Sequence, residues 1–267
     1  AWGVNLAKGP RLPLVLVPTT AGTGSEVTPV AIITIGEDEK RGVSSPVLLP
    51  DMAILDAALT LGLPQHITAA TGIDAMVHAI EAYTSKSANN NPLSRMLALQ
   101  ALDLLGANIE TACFDGRDVI ARENMLTGSV LAGMAFANSP VAAVHALAYP
   151  IGGMFHIPHG LSNALVLKEV MRFNAPVCYG HYAELAPHVF SDIDLSQSAQ
   201  GVCSAFIDQL GALSEKVGLA PRLRDHGIGQ DALPEMAAAA MKQTRLLVNN
   251  PRDVSEADAL AIYRAAW

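Results

Sequence analysis

Charge is missing from a long internal stretch of this 267-residue chain, and cysteine is scarce throughout. The 44 residues from Asn124 to Leu167 contain no Asp, Glu, Lys or Arg. Such an apolar stretch is expected in the protein interior. The three cysteines, Cys113, Cys178 and Cys203, are widely spaced and form no Cys-x-x-Cys pair. This spacing argues against a disulfide framework and a thiolate zinc site, so we expect a reducing cytoplasmic location.

Basic residues are also in the minority, with 17 Lys and Arg against 25 Asp and Glu, a net charge of −8 and a pI near 5.4. This balance argues against nucleic acid or an anionic membrane as the main partner. The apolar stretch is long enough to suggest a membrane span, but Asn138, Pro140, Pro150 and the Gly152-Gly153 pair interrupt it. The bulk properties therefore favour a soluble enzyme with a sizeable core.

The uncharged stretch carries three histidines, His145, His156 and His159. An imidazole in an apolar interior needs a partner, and a metal ion is the economical one. The alternative is a set of core histidines bonded to backbone carbonyls. Pro158 and Gly160 flank His159 and restrict the backbone that carries it, which favours the metal interpretation.

A second pair of candidate ligands, Asp74 and His78, lies upstream on a predicted helix. Residues four apart share one helix face, so this carboxylate and imidazole can reach the same ion. Two alternatives stay open: Thr71 and Asp74 could form a capping box at a helix start, or the pair could be a surface ion pair. Together with His145 and His159, the set favours Fe(II) or Zn(II) over Ca(II) or Mg(II).

The character of the chain changes near residue 60. Short apolar runs predict strands at residues 12–17, 27–35, 41–45 and 52–55, the first of them of the buried type. Long Ala-, Leu- and Met-rich patterns predict helices at 67–83, 92–112, 118–137, 196–217, 233–243 and 255–265, with a broken helical region reaching Phe173. We therefore expect a partial α/β domain over residues 1–60 and an all-α domain over residues 61–267.

Residues 18–26, Pro-Thr-Thr-Ala-Gly-Thr-Gly-Ser-Glu, form a loop after the first predicted strand. Its two glycines and its hydroxyl groups could bring hydrogen-bond donors close to a phosphate. The loop lacks the Gly-Lys-Ser/Thr spacing of a P-loop, and it could equally be an ordinary turn. Lys40 could pair with the phosphate or could be a solvated turn lysine.

Five motifs, at residues 18–26, 72–81, 145–152, 158–160 and 249–252, resemble signatures of the iron-containing (group III) alcohol dehydrogenases. The resemblance runs from about Leu12 to the C-terminus. It implies a dehydroquinate synthase-like architecture, in which a Rossmann-like domain binds NAD(P) and a helical domain holds a metal in the cleft between them. It also implies a homodimer and a small alcohol, aldehyde or ketone as substrate.

The resemblance assigns roles to residues that match its motifs. It implies Asp74, His78, His145 and His159 as ligands of Fe(II) or Zn(II), and it implies Thr19, Thr20, Thr23 and Lys40 on the cofactor side. The implied activity is hydride transfer between an alcohol and NAD(P).

Two departures from the family pattern stand out. The Gly-Gly-Gly-Ser phosphate turn expected before Leu12 does not occur, so the chain resembles the family without most of its nucleotide half. The first residue is also not Met, and we expect further sequence in front. Many relatives have histidine where this chain has Tyr149. Tyr149 or His156 could relay a proton, or both could simply line the pocket.

Other functions compete with this one. A glycerol-dehydrogenase-like enzyme with zinc and a maleylacetate-reductase-like enzyme without a metal role would share the fold. A truncated, non-catalytic metal-binding or dimerisation module is an alternative of a different class. A metal hydrolase would need a base beside the metal, and Glu81 is its one candidate.

Overall fold

The computed structural model describes residues 2–35 and 39–267, apart from the side chains of residues 34 and 39–41. Within this part of the chain, five short strands precede nine α-helices. The fold class expected from the sequence, an α/β segment followed by a helical domain, is confirmed. The division of the chain into two domains at residue 60 stays a prediction.

The strands form two small sheets. They are β1 (Gly3–Val4), β2 (Val15–Leu16), β3 (Val30–Ile35), β4 (Glu39–Ser44) and β5 (Met52–Ala53). One sheet has the order β1-β4-β3, in which β4 pairs parallel with β1 and antiparallel with β3. In the other sheet β2 and β5 run parallel.

The predicted buried strand at residues 12–17 is wrong in length and in burial. Only Val15 and Leu16 form a strand, Leu12 is 84% exposed, and Val15 and Val17 are exposed as well. Within the described residues β2 has β5 as its one neighbouring strand. A two-stranded sheet covers little of its own apolar surface, so these side chains stay at the surface.

The helices largely follow the sequence pattern. They are α1 (Gln65–Thr84), α2 (Pro92–Phe114), α3 (Val119–Asn138), α4 (Ala143–Met154), α5 (His159–Val189), α6 (Ala199–Lys216), α7 (Leu233–Ala240), α8 (Thr244–Leu247) and α9 (Glu256–Ala266). Helix α5 continues beyond Phe173 to Val189 despite Pro176 and Pro187. Packing against α1 and α6 outweighs the hydrogen bonds that these prolines remove. Helix α8 was not predicted, because four residues are too few to show a period.

The hydrophobic core is centred on α1, which packs against α2, α3 and α5. From Thr68 to Thr84 only Thr71 is not fully buried. Helix α4, from the uncharged stretch, is also buried along most of its length, as predicted. No single helix within residues 2–35 and 39–267 is long and apolar enough to cross a membrane. Helices α3 and α4 together are long and apolar enough, but the chain bends by 108° between them.

All three cysteines are free and buried. Burial raises the pKa of Cys113 to about 11 and that of Cys178 to about 12, and it also raises the pKa of Cys203. Since the thiolate is the reactive form, a raised pKa and poor access both slow modification. The cysteines in the fold are therefore inert packing residues.

We expect the folded protein to react with a thiol reagent at mildly alkaline pH far more slowly than a free cysteine does. All three thiols should titrate at once after unfolding in guanidinium chloride, because unfolding restores an ordinary thiol pKa of about 8.5. Timed titration of the thiols with and without denaturant measures this. Rapid reaction of any thiol in the folded protein would contradict the burial of the cysteines.

Candidate metal centre

Helix α1 places Asp74 and His78 on one buried face. The helix begins at Gln65, nine residues before Asp74, and the Thr71 hydroxyl donates to the Ile67 carbonyl instead of capping a helix start. The capping-box alternative is therefore wrong. Asp74 is 2% exposed and His78 is 4% exposed, which also excludes a surface ion pair.

Two more histidines reach the same point from neighbouring helices. His145 lies near the start of α4, and His159 is the first residue of α5. Asp74, His78, His145 and His159 each offer one ligand atom, and these atoms all lie within 4.8 Å of one another. Three nitrogens and one carboxylate oxygen are a donor set that suits Fe(II) or Zn(II). The structure thus brings together all four candidate ligands.

The His78 ring is held from two directions. Its Nδ1 lies 3.1 Å from the carbonyl oxygen of Gly22 and donates to it, so Nε2 keeps its lone pair. The ring stacks between Phe136, at 4.5 Å between centroids, and His145, at 4.7 Å. Burial lowers the pKa of His78 to about 3, which keeps the imidazole neutral and able to bind a cation.

Glu81 fixes the His145 ring. The Nδ1 of His145 lies 2.6 Å from one oxygen of Glu81, and the other oxygen accepts a hydrogen bond of 2.7 Å from the Val144 amide. A carboxylate behind a candidate metal ligand orients the ring and sets its tautomer. Both oxygens of Glu81 are engaged, so Glu81 is not available as the base that a hydrolase would need. The orienting role was not predicted, although Glu81 lies seven residues after Asp74, two turns along the same helix face.

The groups around the Asp74 carboxyl change its pKa, and one of them, the Asn163 amide, donates a hydrogen bond to it. Burial alone would raise its pKa, but the three imidazoles and a hydrogen bond from Asn163 lower that pKa below the usual range. The Asn163 Nδ2 donates to Asp74 at 2.6 Å. Asn163 was not predicted either, although it lies one helical turn after His159 and therefore on the same face.

The start of α5 touches α1 at Gly160. A Cβ at this position would lie 2.4 Å from the Ala70 carbonyl oxygen and 3.2 Å from the Asp74 Cβ. Glycine is therefore needed for close helix contact, and not for a special turn conformation. Because His159 precedes Gly160, this contact determines how near His159 lies to Asp74.

The loop at residues 18–26 packs directly on the helices of the site. A Cβ at Gly22 would lie 2.7 Å from the Thr71 Cβ of α1. Gly24 has a φ of 57°, and a Cβ there would lie 2.5 Å from the Gly133 Cα of α3. Both glycines thus serve packing against helices. The loop therefore lies beside the four candidate ligands, joined to His78 through the Gly22 carbonyl.

The predicted cofactor residues lie on or after this loop. Thr19 is exposed, Thr20 is half-buried, and the exposed Thr23 donates its hydroxyl to Ser25 at 3.1 Å. The backbone of Lys40 belongs to β4, whereas its side chain lies outside the described residues.

The two candidate proton relays differ in position. The Tyr149 ring lies 6.2 Å from the His159 ring, and Arg245 donates to the Tyr149 hydroxyl at 3.4 Å. Burial raises the pKa of Tyr149 even though Arg245 opposes the shift. His156 is exposed in the α4–α5 turn with a φ of 54°, and it is not part of the four-residue cluster. Of the two residues, Tyr149 is therefore the better placed candidate for a proton relay.

Replacing Gly160 by alanine should lower the free energy of unfolding by about 1–3 kcal/mol, because the methyl group collides with the α1 backbone. Gly180 is a matched control in the same helix, since no atom lies within 4 Å of its Cβ position. Gly180→Ala should raise stability by about 0.5–1 kcal/mol through helix propensity. Urea unfolding compares the two variants. Equal effects at both positions would contradict the tight contact.

Sequence comparison matches two family models. Residues 68–267 match the Fe-containing alcohol dehydrogenase family C-terminal model, and residues 3–57 match the iron-containing alcohol dehydrogenase model. Long-chain-alcohol dehydrogenase 1 of Geobacillus thermodenitrificans is 41% identical over 265 residues, which cover 99% of this chain. The chain spans 66% of that relative's length.

Solved structures give the same result. A crystal structure of 1,3-propanediol oxidoreductase matches all of this chain and 69% of its own, with a TM-score of 0.95 and 37% identity. Sulfoacetaldehyde reductase from Bifidobacterium kashiwanohense, solved in complex with NAD+, matches 96% of this chain and 65% of its own, with a TM-score of 0.83 and 29% identity. The chain belongs to the iron-containing alcohol dehydrogenase family.

Proposed function

We propose that the chain forms the metal-binding part of an alcohol dehydrogenase that transfers a hydride between an alcohol and NAD(P). The observation that carries this proposal is the meeting of one carboxylate and three imidazoles within 4.8 Å. Membership of the iron-containing family supports it. In the oxidative direction the alcohol carbon loses a hydride to the nicotinamide and the hydroxyl loses a proton, which gives an aldehyde or ketone.

We assign Asp74, His78, His145 and His159 as the ligands of Fe(II), with Zn(II) as the alternative. These residues fit the cation because neutral imidazole and carboxylate are the donors both ions take in proteins. When bound, the cation would polarise the C–O bond of the substrate and acidify an alcohol hydroxyl.

The remaining residues keep the site ordered and dry. Gly22 and Glu81 fix the Nδ1 protons of His78 and His145, so that both rings present Nε2. Phe136 covers one face of His78 and helps to exclude water. Tyr149 keeps its proton at neutral pH, since an ordinary tyrosine pKa is about 10 and burial raises that of Tyr149 further. We infer that in the reductive direction its Oη donates this proton to the substrate oxygen.

The cofactor would approach from the loop at residues 18–26. The bond between Gly22 and His78 places this loop beside the cluster, where hydride transfer to a nicotinamide requires the cofactor to be. Thr19, Thr20, Thr23 and Lys40 are the proposed contacts on this side. The NAD+ of the related sulfoacetaldehyde reductase supports a nicotinamide cofactor in general.

Three competing functions receive different support. A maleylacetate-reductase-like enzyme without a metal role leaves the meeting of four donor groups unexplained. A glycerol-dehydrogenase-like enzyme with zinc would use the same donors, and metal analysis separates it from an iron enzyme. A non-catalytic module would bind metal without NAD(H) binding or alcohol turnover.

The homodimer stays a prediction, which gel filtration can test. The three free cysteines support the cytoplasmic location.

Changing His159 to alanine should abolish stoichiometric metal binding and NAD(P)-linked alcohol oxidation, because one donor of four is lost. His188→Ala is the matched control, since His188 lies on the same helix and pairs with Asp103 away from the cluster. The measurements are metal content after anaerobic loading with Fe(II) or Zn(II), and turnover of 1,3-propanediol and long-chain alcohols. Full metal content in the His159 variant would refute the ligand assignment.

Glu81→Gln should weaken metal binding by about 10–100-fold, as loss of an orienting carboxylate does. If the glutamine oxygen accepts from Val144, its NH2 group faces the Nδ1–H of His145. Two opposed donors push the proton onto Nε2, where the cation should bind. Glu184→Gln is the control, since Glu184 accepts from the Tyr83 hydroxyl and the amide oxygen can replace it. Chelator competition gives both affinities, and equal affinities would contradict the orienting role of Glu81.

A further inference from the structure

Asn163 is fully buried beside the proposed metal centre, yet it is not one of the four proposed ligands. Its Nδ2 lies 2.6 Å from Asp74 Oδ1, 3.3 Å from His145 Nε2 and 3.3 Å from His159 Nε2. One side chain thus contacts three of the four proposed ligands. These ligands come from α1, α4 and α5, so the amide joins three separate helices at one point.

Chemistry fixes which end of the Asn163 amide faces the ligands. A carboxylate that binds a cation does so in its ionised form, and as such Asp74 can only accept hydrogen bonds. If the amide oxygen of Asn163 lay 2.6 Å from Asp74 Oδ1, two acceptors would face each other without a hydrogen between them. The NH2 group must therefore face Asp74. Its second N–H then points toward the Nε2 atoms of His145 and His159.

A donor at this place selects one tautomer of the imidazoles. The His145 ring already donates from Nδ1 to Glu81, which leaves a lone pair on Nε2. An N–H group facing Nε2 is compatible with that lone pair and would repel a proton there. Because a histidine binds a metal through an unprotonated nitrogen, Asn163 and Glu81 favour the same metal-binding form of His145 from opposite sides.

The amide oxygen of Asn163 indicates that this residue is not there to stabilise the fold. Asn163 Oδ1 is buried without a hydrogen-bond partner among the described residues. A buried acceptor left unsatisfied costs about 1–3 kcal/mol, whereas an apolar side chain of similar size would avoid that cost. Such exceptions in a folded protein call for a functional explanation.

We propose that Asn163 is a positioning residue of the metal centre: it fixes the Asp74 carboxylate and, before the cation binds, keeps Nε2 of His145 and His159 free of a proton. This inference rests on the proposed metal-dependent function. The residue acts through the ligands and is not assigned any contact with substrate.

The test compares Asn163→Leu with Asn174→Leu in the full chain. Leucine branches at the same atom as asparagine, is somewhat larger and removes the donor. Asn174 is a control on the same helix, buried and paired with Asn250 through amide bonds of 3.0 and 2.8 Å. Zn(II) affinity is measured by competition with a chromophoric chelator, and the Co(II) absorption spectrum reports ligand geometry. Circular dichroism and thermal melting check the fold of each variant.

We expect Asn163→Leu to bind Zn(II) about 10–100-fold more weakly and to change the Co(II) spectrum. Asn174→Leu should melt at a lower temperature with unchanged affinity and spectrum. Asn163→Ala, which adds no branched bulk, gives the same test if leucine does not fit.

Wild-type affinity and spectrum in the Asn163 variants would overturn this inference and leave the metal proposal standing. An equal loss of affinity in Asn174→Leu would also overturn it, because the effect would then be one of packing. Failure of the unsubstituted chain to bind metal would overturn both proposals together.

Discussion

Two carboxylates, Asp74 and Glu81, lie on one buried helix, and the arrangement of the neighbouring helices depends on how their charges are compensated. An unpaired ion in a protein interior costs on the order of several kcal/mol. Glu81 accepts hydrogen bonds from His145 and the Val144 amide of α4, and Asp74 accepts one from Asn163 of α5. Helices α4 and α5 must therefore dock on α1 in one register, since a slip would leave a carboxylate without its partners.

The loop at residues 18–26 extends this constraint to the cofactor side. Gly22 and Gly24 let its backbone lie against α1 and α3, and the Gly22 carbonyl holds His78. A side chain at either glycine would push the loop away from the helices. The proposed cofactor contacts and the proposed metal ligands are therefore positioned by the same packing interface, and not by two independent units that happen to meet.

Sequence periodicity and composition predict most of the helices, but not α8 or the part of α5 beyond Phe173, and they predict the four candidate ligands, for a physical reason. Histidines in an uncharged stretch and a carboxylate four residues before a histidine are local patterns, and both survive in the fold. Glu81 and Asn163 were missed as partners because their roles depend on which helices touch. Helical spacing from His78 or His159 could have marked them as candidates. The prediction of a buried strand at residues 12–17 is wrong because burial depends on neighbouring elements, which an apolar run does not specify.

In the proposed metal centre a carboxylate stands behind His145 and a neutral carbonyl stands behind His78. Asp74 and Glu81 contribute two negative charges, and the imidazoles bind a metal only as neutral rings. A divalent cation at the proposed site would make the buried centre neutral, whereas a trivalent ion would leave one positive charge in the core. With a second carbonyl in place of Glu81, the same four donors and a divalent ion would carry a net positive charge. At the proposed site Glu81 would thus favour a divalent over a trivalent cation without contacting it.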